Sequence, residues 1–239
     1  MPTALVTGAA HGIGKAIAAA LAAEHCDLHL ICRESVDELR EQAAGLENSF
    51  HVSVSADAVD VSDAAAVERY FAEKVRRLDL LVNNAGISRI GLLQDTSVAE
   101  WNTVISTNLS SVFYTCRCAI PLFLKSGSGR IINISSVWGS AGASMETAYS
   151  ASKGGVNALT RALAKELAPN HIPVNAIACG VIDTRMNGCF DEAERLALRD
   201  EIPADRFGSP EEVAAAAVKL SQMPDYLTGQ IITFDGGWI

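Results

Sequence analysis

The sequence predicts an α/β fold, a doubly wound parallel sheet with helices on both faces. Three observations carry that prediction. Short apolar runs alternate with helix-length segments along the whole chain, which puts helices over both faces of a parallel sheet. The first run ends in a glycine-rich turn that opens an alanine-rich helix. The 239 residues, 49% hydrophobic and 20% charged, suit one large domain whose core needs no disulfide or metal. No repeat, linker or second domain interrupts the alternation, so residues 1–239 are read as a single domain.

Taken in order, Thr3–Thr7 is the first strand. The turn Thr7-Gly8-Ala9-Ala10-His11-Gly12-Ile13-Gly14 leads into a helix over Lys15–Glu24. Glycines there let the backbone approach a pyrophosphate, and the helix N-terminus points free N–H groups at the anion. Asp27–Cys32 is the second strand, whose end meets the adenosine ribose in a dinucleotide fold. An acid there suits the 2′-hydroxyl of NAD. Here Cys32 is followed by Arg33, and a guanidinium suits the 2′-phosphate of NADP, with His11 a weaker second phosphate contact. A solvated strand-end charge is the plain alternative for Arg33.

Ser35–Leu46 reads as a helix and His51–Ser55 as the third strand. Asp60 then suits the adenine amino group, while Ser62 or Asp63 caps a helix running to about Arg77. Leu78–Val82 is the fourth strand, ending at Asn83-Asn84-Ala85-Gly86. The two asparagines are expected to hold neighbouring backbones. Ser97-Val98-Ala99-Glu100 is a capping box that opens a long helix to about Leu124. Asn108, a poor helix former, sits inside it. Arg130–Ile134 is the fifth strand and ends at Ser135-Ser136. A loop with Gly139 and Gly142 leads to a helix containing Tyr149 that reaches about Ala168. Ile172–Ala178 is the sixth strand. Asp191–Arg199 is a charged helix inside a segment, about 185–205, that suits a mobile lid. Pro210–Met223 is a further helix with acids in its first turn, and Gln230–Phe234 is the last strand.

Composition excludes several function classes. The formal charge is −9, from 19 basic against 28 acidic side chains. It argues against a nucleic-acid surface and against docking on anionic membranes. The six cysteines (Cys26, Cys32, Cys116, Cys118, Cys179, Cys189) show no metal-ligand spacing and mostly lie in apolar runs, as small buried hydrophobes do. The chain enters an apolar run at Thr3 with no basic stretch before it, and no apolar segment reaches the ~20 residues of a membrane helix. A soluble protein of a reducing cytoplasm is expected, with no metal.

The chemistry centres on Tyr149 and Lys153, one helical turn apart on one face. A free phenol, with a pKa near ~10, is a poor proton donor at neutral pH, and a nearby cation lowers that value. Alone the pair is a weak pattern. Ser136 on another element and the glycine turn give it meaning.

With Thr7–Gly14, Asn83-Asn84-Ala85-Gly86, Asn108, Ser136, Tyr149 and Lys153 in this order and spacing, the chain resembles the short-chain dehydrogenase/reductase family over its whole length. It looks most like the 3-oxoacyl-[acyl-carrier-protein] reductases of fatty acid biosynthesis, through Val174–Ala178, Ile182-Asp183-Thr184, Thr228-Gly229-Gln230 and Asp235-Gly236-Gly237. The resemblance implies a Rossmann-type sheet of about seven strands and a homotetramer with the Asn108 and Tyr149 helices at one subunit contact. It implies NADPH-dependent reduction of a carbonyl, small or carrier-bound, with NADP favoured over NAD. Tyr149 would donate the proton, Lys153 would lower its pKa and bind the nicotinamide ribose, Ser136 would polarise the carbonyl, and Asn108 would anchor a water for proton resupply.

The cofactor would lie along Gly8, His11, Gly12, Ile13 and Gly14, then Arg33, then Asp60 and Val61. It would continue along Asn84, Ala85 and Gly86 and end at Tyr149, Lys153, Gly180, Ile182 and Thr184. The substrate would meet Ser136, Trp138, Met145, Tyr149, Met186 and Phe190. For Met186 and Phe190, packing within the lid is an equal alternative.

Two positions depart from the family pattern. Cys179-Gly180 stands where Pro-Gly is usual. Gly127 and Asn170 stand where carrier-protein reductases present arginines, leaving Lys125, Arg130 and Arg89 nearby. Trp138-Gly139 with Gly142–Glu146, and Ala178–Thr184, also look similar to reductases of an aminopentanone-modified lysine on a translation elongation factor, elongation factor P. Glu146 would then attract the amino group; its plainer role is an acid at the start of the Tyr149 helix. A non-catalytic NADP-binding regulator is a further alternative. It usually goes with eroded catalytic residues, and none is eroded here.

Overall fold

The structure, a computed structural model, describes residues 1–188 and 190–239. Seven parallel strands form one sheet in the order β3-β2-β1-β4-β5-β6-β7. They are β1 Thr3–Thr7, β2 Asp27–Cys32, β3 Val54–Ala58, β4 Leu80–Asn83, β5 Arg130–Ser136, β6 Val174–Cys179 and β7 Ile231–Phe234. The helices are α1 Gly12–Ala23, α2 Val36–Phe50, α3 Ala64–Lys74, α4 Val98–Ile105, α5 Ser111–Ser126, α6 Thr147–Leu167, α7 Glu192–Asp200 and α8 Pro210–Ser221. This is the Rossmann-like, doubly wound architecture that the alternation predicts.

Side chains alternate across the strands. Val6, Leu30, Val82 and Ile132 face α1, α2 and α8, whereas Leu5, Ile31, Leu81 and Ile131 face α3, α5 and α6. Each face therefore buries its own apolar layer. The chain reverses its direction of winding between β1 and β4, and a crevice opens there at the carboxyl ends of the strands.

Several boundaries differ from the sequence reading. The third strand lies at Val54–Ala58 rather than His51–Ser55, because α2 runs on to Phe50 and closes with His51 in the left-handed region at φ 56. Its pairing then starts at Leu28 opposite Val54. The helix expected to end near Arg77 stops at Lys74, after Asp63 caps it by accepting from the Ala65 N–H. The capping box at Ser97 and Glu100 is present as predicted. The long helix behind it is broken by a π turn over Ser106–Ser110, which contains Asn108.

The two asparagines divide their labour. The Asn84 side chain holds backbone, as expected. Asn83 instead meets side chains: its amide donates to Asn133 Oδ1 at 2.9 Å and its oxygen accepts from Thr115 Oγ1 at 2.7 Å. Asn133 in turn donates to Thr160 Oγ1 at 2.9 Å. All four residues are buried, so the satisfied network fixes β4 and β5 against α5 and α6.

Among the described residues no helix is long and apolar enough to cross a membrane. No cluster of three or more His, Cys, Asp or Glu is placed to hold a metal among them either. Five cysteines are free thiols, four of them buried; Cys189 lies outside the described residues.

His29 on β2 is partly buried beside Ser55 (Nδ1···Oγ 2.8 Å) and edge-on to the Tyr70 ring. Burial outweighs the pull of Asp57 and Asp27 and lowers its pKa. The unfolded chain therefore takes up this proton first as the pH falls below about 6.5, and stability present above that pH is lost towards acid. His29→Gln should accordingly lose less of its urea midpoint than wild type between about pH 7.5 and about pH 5.5. Equal losses would remove His29 from the acid response.

Candidate active site

The crevice holds a cleft of about 490 Å³. The turn after β1 forms one wall. Gly8 has φ +63, and a Cβ there would lie 2.9 Å from Ala85 Cα. A Cβ on Gly14 would lie 2.3 Å from the Gly8 carbonyl oxygen, so Gly14 is required for close packing and does not line the cleft. The Asn84 amide donates to the Thr7 and Gly8 carbonyls at 3.0 and 3.1 Å. Thr7 Oγ1 accepts from the N–H groups of Asn84 and Ala85, both at 2.9 Å. Gly12 and Ile13, at the N-terminus of α1, face the cleft.

Ser136 ends β5, and Tyr149 and Lys153 share one face of α6; all three line the floor. The Ser136 hydroxyl is near enough to the Tyr149 phenol to pull its pKa down, though burial outweighs it. Ser136 Oγ also accepts from the Trp138 N–H at 3.2 Å. Lys153 Nζ donates to the Ile134 carbonyl at 2.8 Å and lies 5.6 Å from the Tyr149 ring centre. Burial pushes Lys153 down from 10.5 to about 8 and raises the Tyr149 phenol above its usual 10. Lys153 was expected to lower the phenol's pKa; here desolvation wins, with Nζ turned to a carbonyl. Cys179 also lines this floor, its thiol pushed up to about 12 by burial and so inert near neutral pH. Ser135 is committed to Asn157 Oδ1, to which it donates at 2.6 Å.

Asn108 does not line the cleft. Its Oδ1 accepts from the Ile87 N–H at 2.8 Å, and its Nδ2 donates to the Ile87 carbonyl and to Ser152 Oγ at 2.8 and 3.0 Å. It stands behind Gly86, where an added Cβ would lie 3.5 Å from both Asn108 Oδ1 and Lys153 Nζ.

One end of the cleft is polar. Arg33 reaches it with its Nη2 2.6 Å from Glu34. Asp60 accepts from the N–H and hydroxyl of Ser62, and Val61 follows it in the wall. Gly180 abuts Asp235, Ile182 makes a single bridge to Gly208, and Thr184 lies over Gly12.

The other end is aromatic. Trp138 meets Trp238 edge-on at 4.9 Å, and Met186 and Phe190 join them in the wall. Trp238 was not foreseen. Its only signal was the Asp235-Gly236-Gly237 turn before it, whose glycines have φ +70 and +86. Met145 is a correction: it does not line the cleft; its φ is +64 and it is 45% exposed. Glu146 lines the cleft in its place. It occupies the N-cap position of α6 without a side-chain cap bond and accepts from Ser88 Oγ at 2.6 Å.

The model of the short chain dehydrogenase family matches residues 2–195. An uncharacterized oxidoreductase of Bacillus subtilis, YmfI, is 38% identical over 99% of this chain and 98% of its own length. The 3-oxoacyl-[acyl-carrier-protein] reductase FabG of Thermotoga maritima is 40% identical over 98% of this chain and 96% of its own. A crystal structure from Sinorhizobium meliloti 1021, described as that of a proposed short-chain alcohol dehydrogenase, superposes with a TM-score of 0.91. It is 38% identical, over 99% of this chain and 96% of that one.

Lys153 is held at a cost to the fold, since its charged form is stable in the unfolded chain up to pH 10.5 but in the folded one only to about 8. Lys153→Met should therefore stabilise the protein near neutral pH by about 2 kcal/mol, and the gain should shrink between about pH 8 and about pH 10.5. Urea unfolding at two pH values tests this. A destabilised variant would mean that the bond to Ile134 outweighs the burial.

Proposed function

The chain belongs to the short-chain dehydrogenase family and is an oxidoreductase, and from that premise we propose that it reduces a ketone to a secondary alcohol with NADPH, the substrate being a 3-oxoacyl thioester. The observation that carries this reading is the Ser136–Tyr149 hydroxyl pair on the cleft floor, with the Lys153 ammonium beside it. Relatives named as 3-oxoacyl-[acyl-carrier-protein] reductases, 37–40% identical, support the substrate class.

The residues fit a nicotinamide dinucleotide. Gly12, at φ +51, leaves room where a Cβ would crowd Thr184 at 3.3 Å, Gly86 lines the cleft, and the α1 N-terminus offers N–H groups to a diphosphate. Arg33 favours the 2′-phosphate of NADP, Asp60 and Val61 receive the adenine, and Ile182 and Thr184 receive the carboxamide. Asn84, Ala85 and Gly180 complete the bed. A bound reduced nicotinamide supplies the hydride.

The chain's own residues do the rest. Ser136 Oγ–H donates to the carbonyl oxygen and polarises it. As hydride reaches the carbonyl carbon the π bond breaks, and the oxygen takes the Tyr149 hydroxyl proton. A buried phenol with a raised pKa is protonated at neutral pH, which suits reduction. Lys153 stabilises the phenolate left behind and returns a proton to it. Asn108 fixes Ile87 behind Gly86; with its side chain committed, anchoring of a relay water falls to the irregular backbone of its π turn. Residues 185–205 act as the lid; α7 within them buries none of its residues. A homotetramer is consistent with Phe113, half exposed on α5 and edge-on to Tyr114.

A second reading has its own support. Arg89 and Arg130 are ion-paired with Glu100 and Asp225, which leaves little positive charge for an acidic carrier. Glu146, lining the same cleft as Trp138 and Trp238, suits a substrate amine, by charge and by cation–π contact, as in an aminopentanone-modified lysine of elongation factor P.

Tyr149→Phe should lower turnover by about a thousandfold while dinucleotide binding persists; a fully active variant ends this mechanism. Arg33→Ala should weaken NADPH about tenfold more than NADH; equal effects reduce Arg33 to a surface charge. Consumption of NADPH with a short 3-oxoacyl thioester, set against a small amino ketone, separates the two substrate readings.

A further inference from the structure

Three ionisable side chains from distant segments meet at the polar mouth of the cleft. His11 belongs to the glycine turn, Glu38 to α2 and Arg185 to the start of the lid. His11 Nε2 lies 2.5 Å from Glu38 Oε2 and 2.8 Å from Arg185 Nη1, while Arg185 Nη2 is 3.6 Å from Glu38 Oε2. His11 and Arg185 both line the cleft.

The cluster holds one contact too many. A ring nitrogen cannot donate to a carboxylate and accept from a guanidinium at once. If Nε2–H donates to Glu38, the Arg185 N–H faces another N–H and lacks a good acceptor. Nor is the trio explained by stability, because exposed ion pairs contribute little and Arg185 is 74% exposed here. What would satisfy both donors is a group with several acceptor oxygens and negative charge in the cleft. The α1 N-terminus and Arg33 mark this same end as one for phosphate.

On the dinucleotide reading above, we propose that Arg185 is a phosphate ligand of the cofactor supplied by the lid. Glu38 acts as the stand-in anion that holds Arg185 and His11 in place until the phosphate arrives. Cofactor capture and lid placement are then one event, since Arg185 directly follows Thr184 over Gly12 and opens the segment that carries Met186 and Phe190 into the cleft wall. Two phosphates of the dinucleotide offer this chemistry, the 2′-phosphate and the diphosphate.

Titration calorimetry without substrate decides the matter, with NADP⁺ and NAD⁺ run against wild type, Arg185→Ala and Glu38→Gln. Arg185→Ala should bind about tenfold more weakly. Loss confined to NADP⁺ assigns the 2′-phosphate, and equal loss for both assigns the diphosphate. Glu38→Gln should bind the same dinucleotide severalfold more tightly, the competing carboxylate being gone. Arg185→Ala affinities equal to wild type for both dinucleotides overturn the proposal while leaving the cofactor reading intact. A wild-type chain that binds neither refutes that reading, and the role of Arg185 with it.

Discussion

The structure depends on a clasp between the first and fourth strands. The Asn84 amide takes the carbonyls of Thr7 and Gly8, and the Thr7 hydroxyl takes the amides of Asn84 and Ala85. Four hydrogen bonds thus tie the turn of one half of the sheet to the strand end of the other, at the point where the winding reverses. The turn conformation needs Gly8 at positive φ, and the approach of Ala85 leaves no space for a Cβ there. From this clasp the strand end continues to Gly86 and Ile87, which Asn108 grips by both backbone groups. The π turn, Lys153 and the Tyr149 helix are placed from there.

Beneath the clasp the core is unusually polar where α5 and α6 cross the sheet. Asn83, Asn133, Thr115 and Thr160 satisfy one another, so the network fixes register without leaving an unpaired group. Lys153 is the exception in kind: a buried ammonium with a carbonyl partner and no buried carboxylate beside it. Such a group opposes folding and is retained where chemistry needs a cation in a dry site. Stability and function pull against each other at this residue.

Much of this was legible in the sequence because strand periodicity and glycine chemistry are local. Strand–turn–helix at Thr3–Ala23, the capping box at Ser97 and the i, i+4 pair Tyr149–Lys153 were all written in neighbouring residues. The alternation was enough for the sheet, though not for its edges: His51–Ser55 alternates, yet helical hydrogen bonding reached Phe50 and displaced β3. A backbone sign set at a single position was not legible, as at Met145, since nothing in its neighbours announces a φ of +64. Contacts between distant segments were invisible. Trp238 against Trp138, Ser88 with Glu146, and the His11–Glu38–Arg185 trio exist only once the segments after β1, β2, β4, β5, β6 and β7 converge. The sign of the Tyr149 shift was missed for a related reason: burial is a property of the assembled cleft.

The aromatic wall has an optical side. The chain contains three tryptophans. Two of them, Trp138 and Trp238, stand in edge-on contact in the cleft, while Trp101 lies on α4, outside its lining. Indole emission responds to the polarity and the quenchers around each ring. Two of the three tryptophans therefore line the cleft and the third lies elsewhere. The molecule carries its own paired reporter and reference, so occupancy of the chamber is readable as a colour and intensity change without any added label.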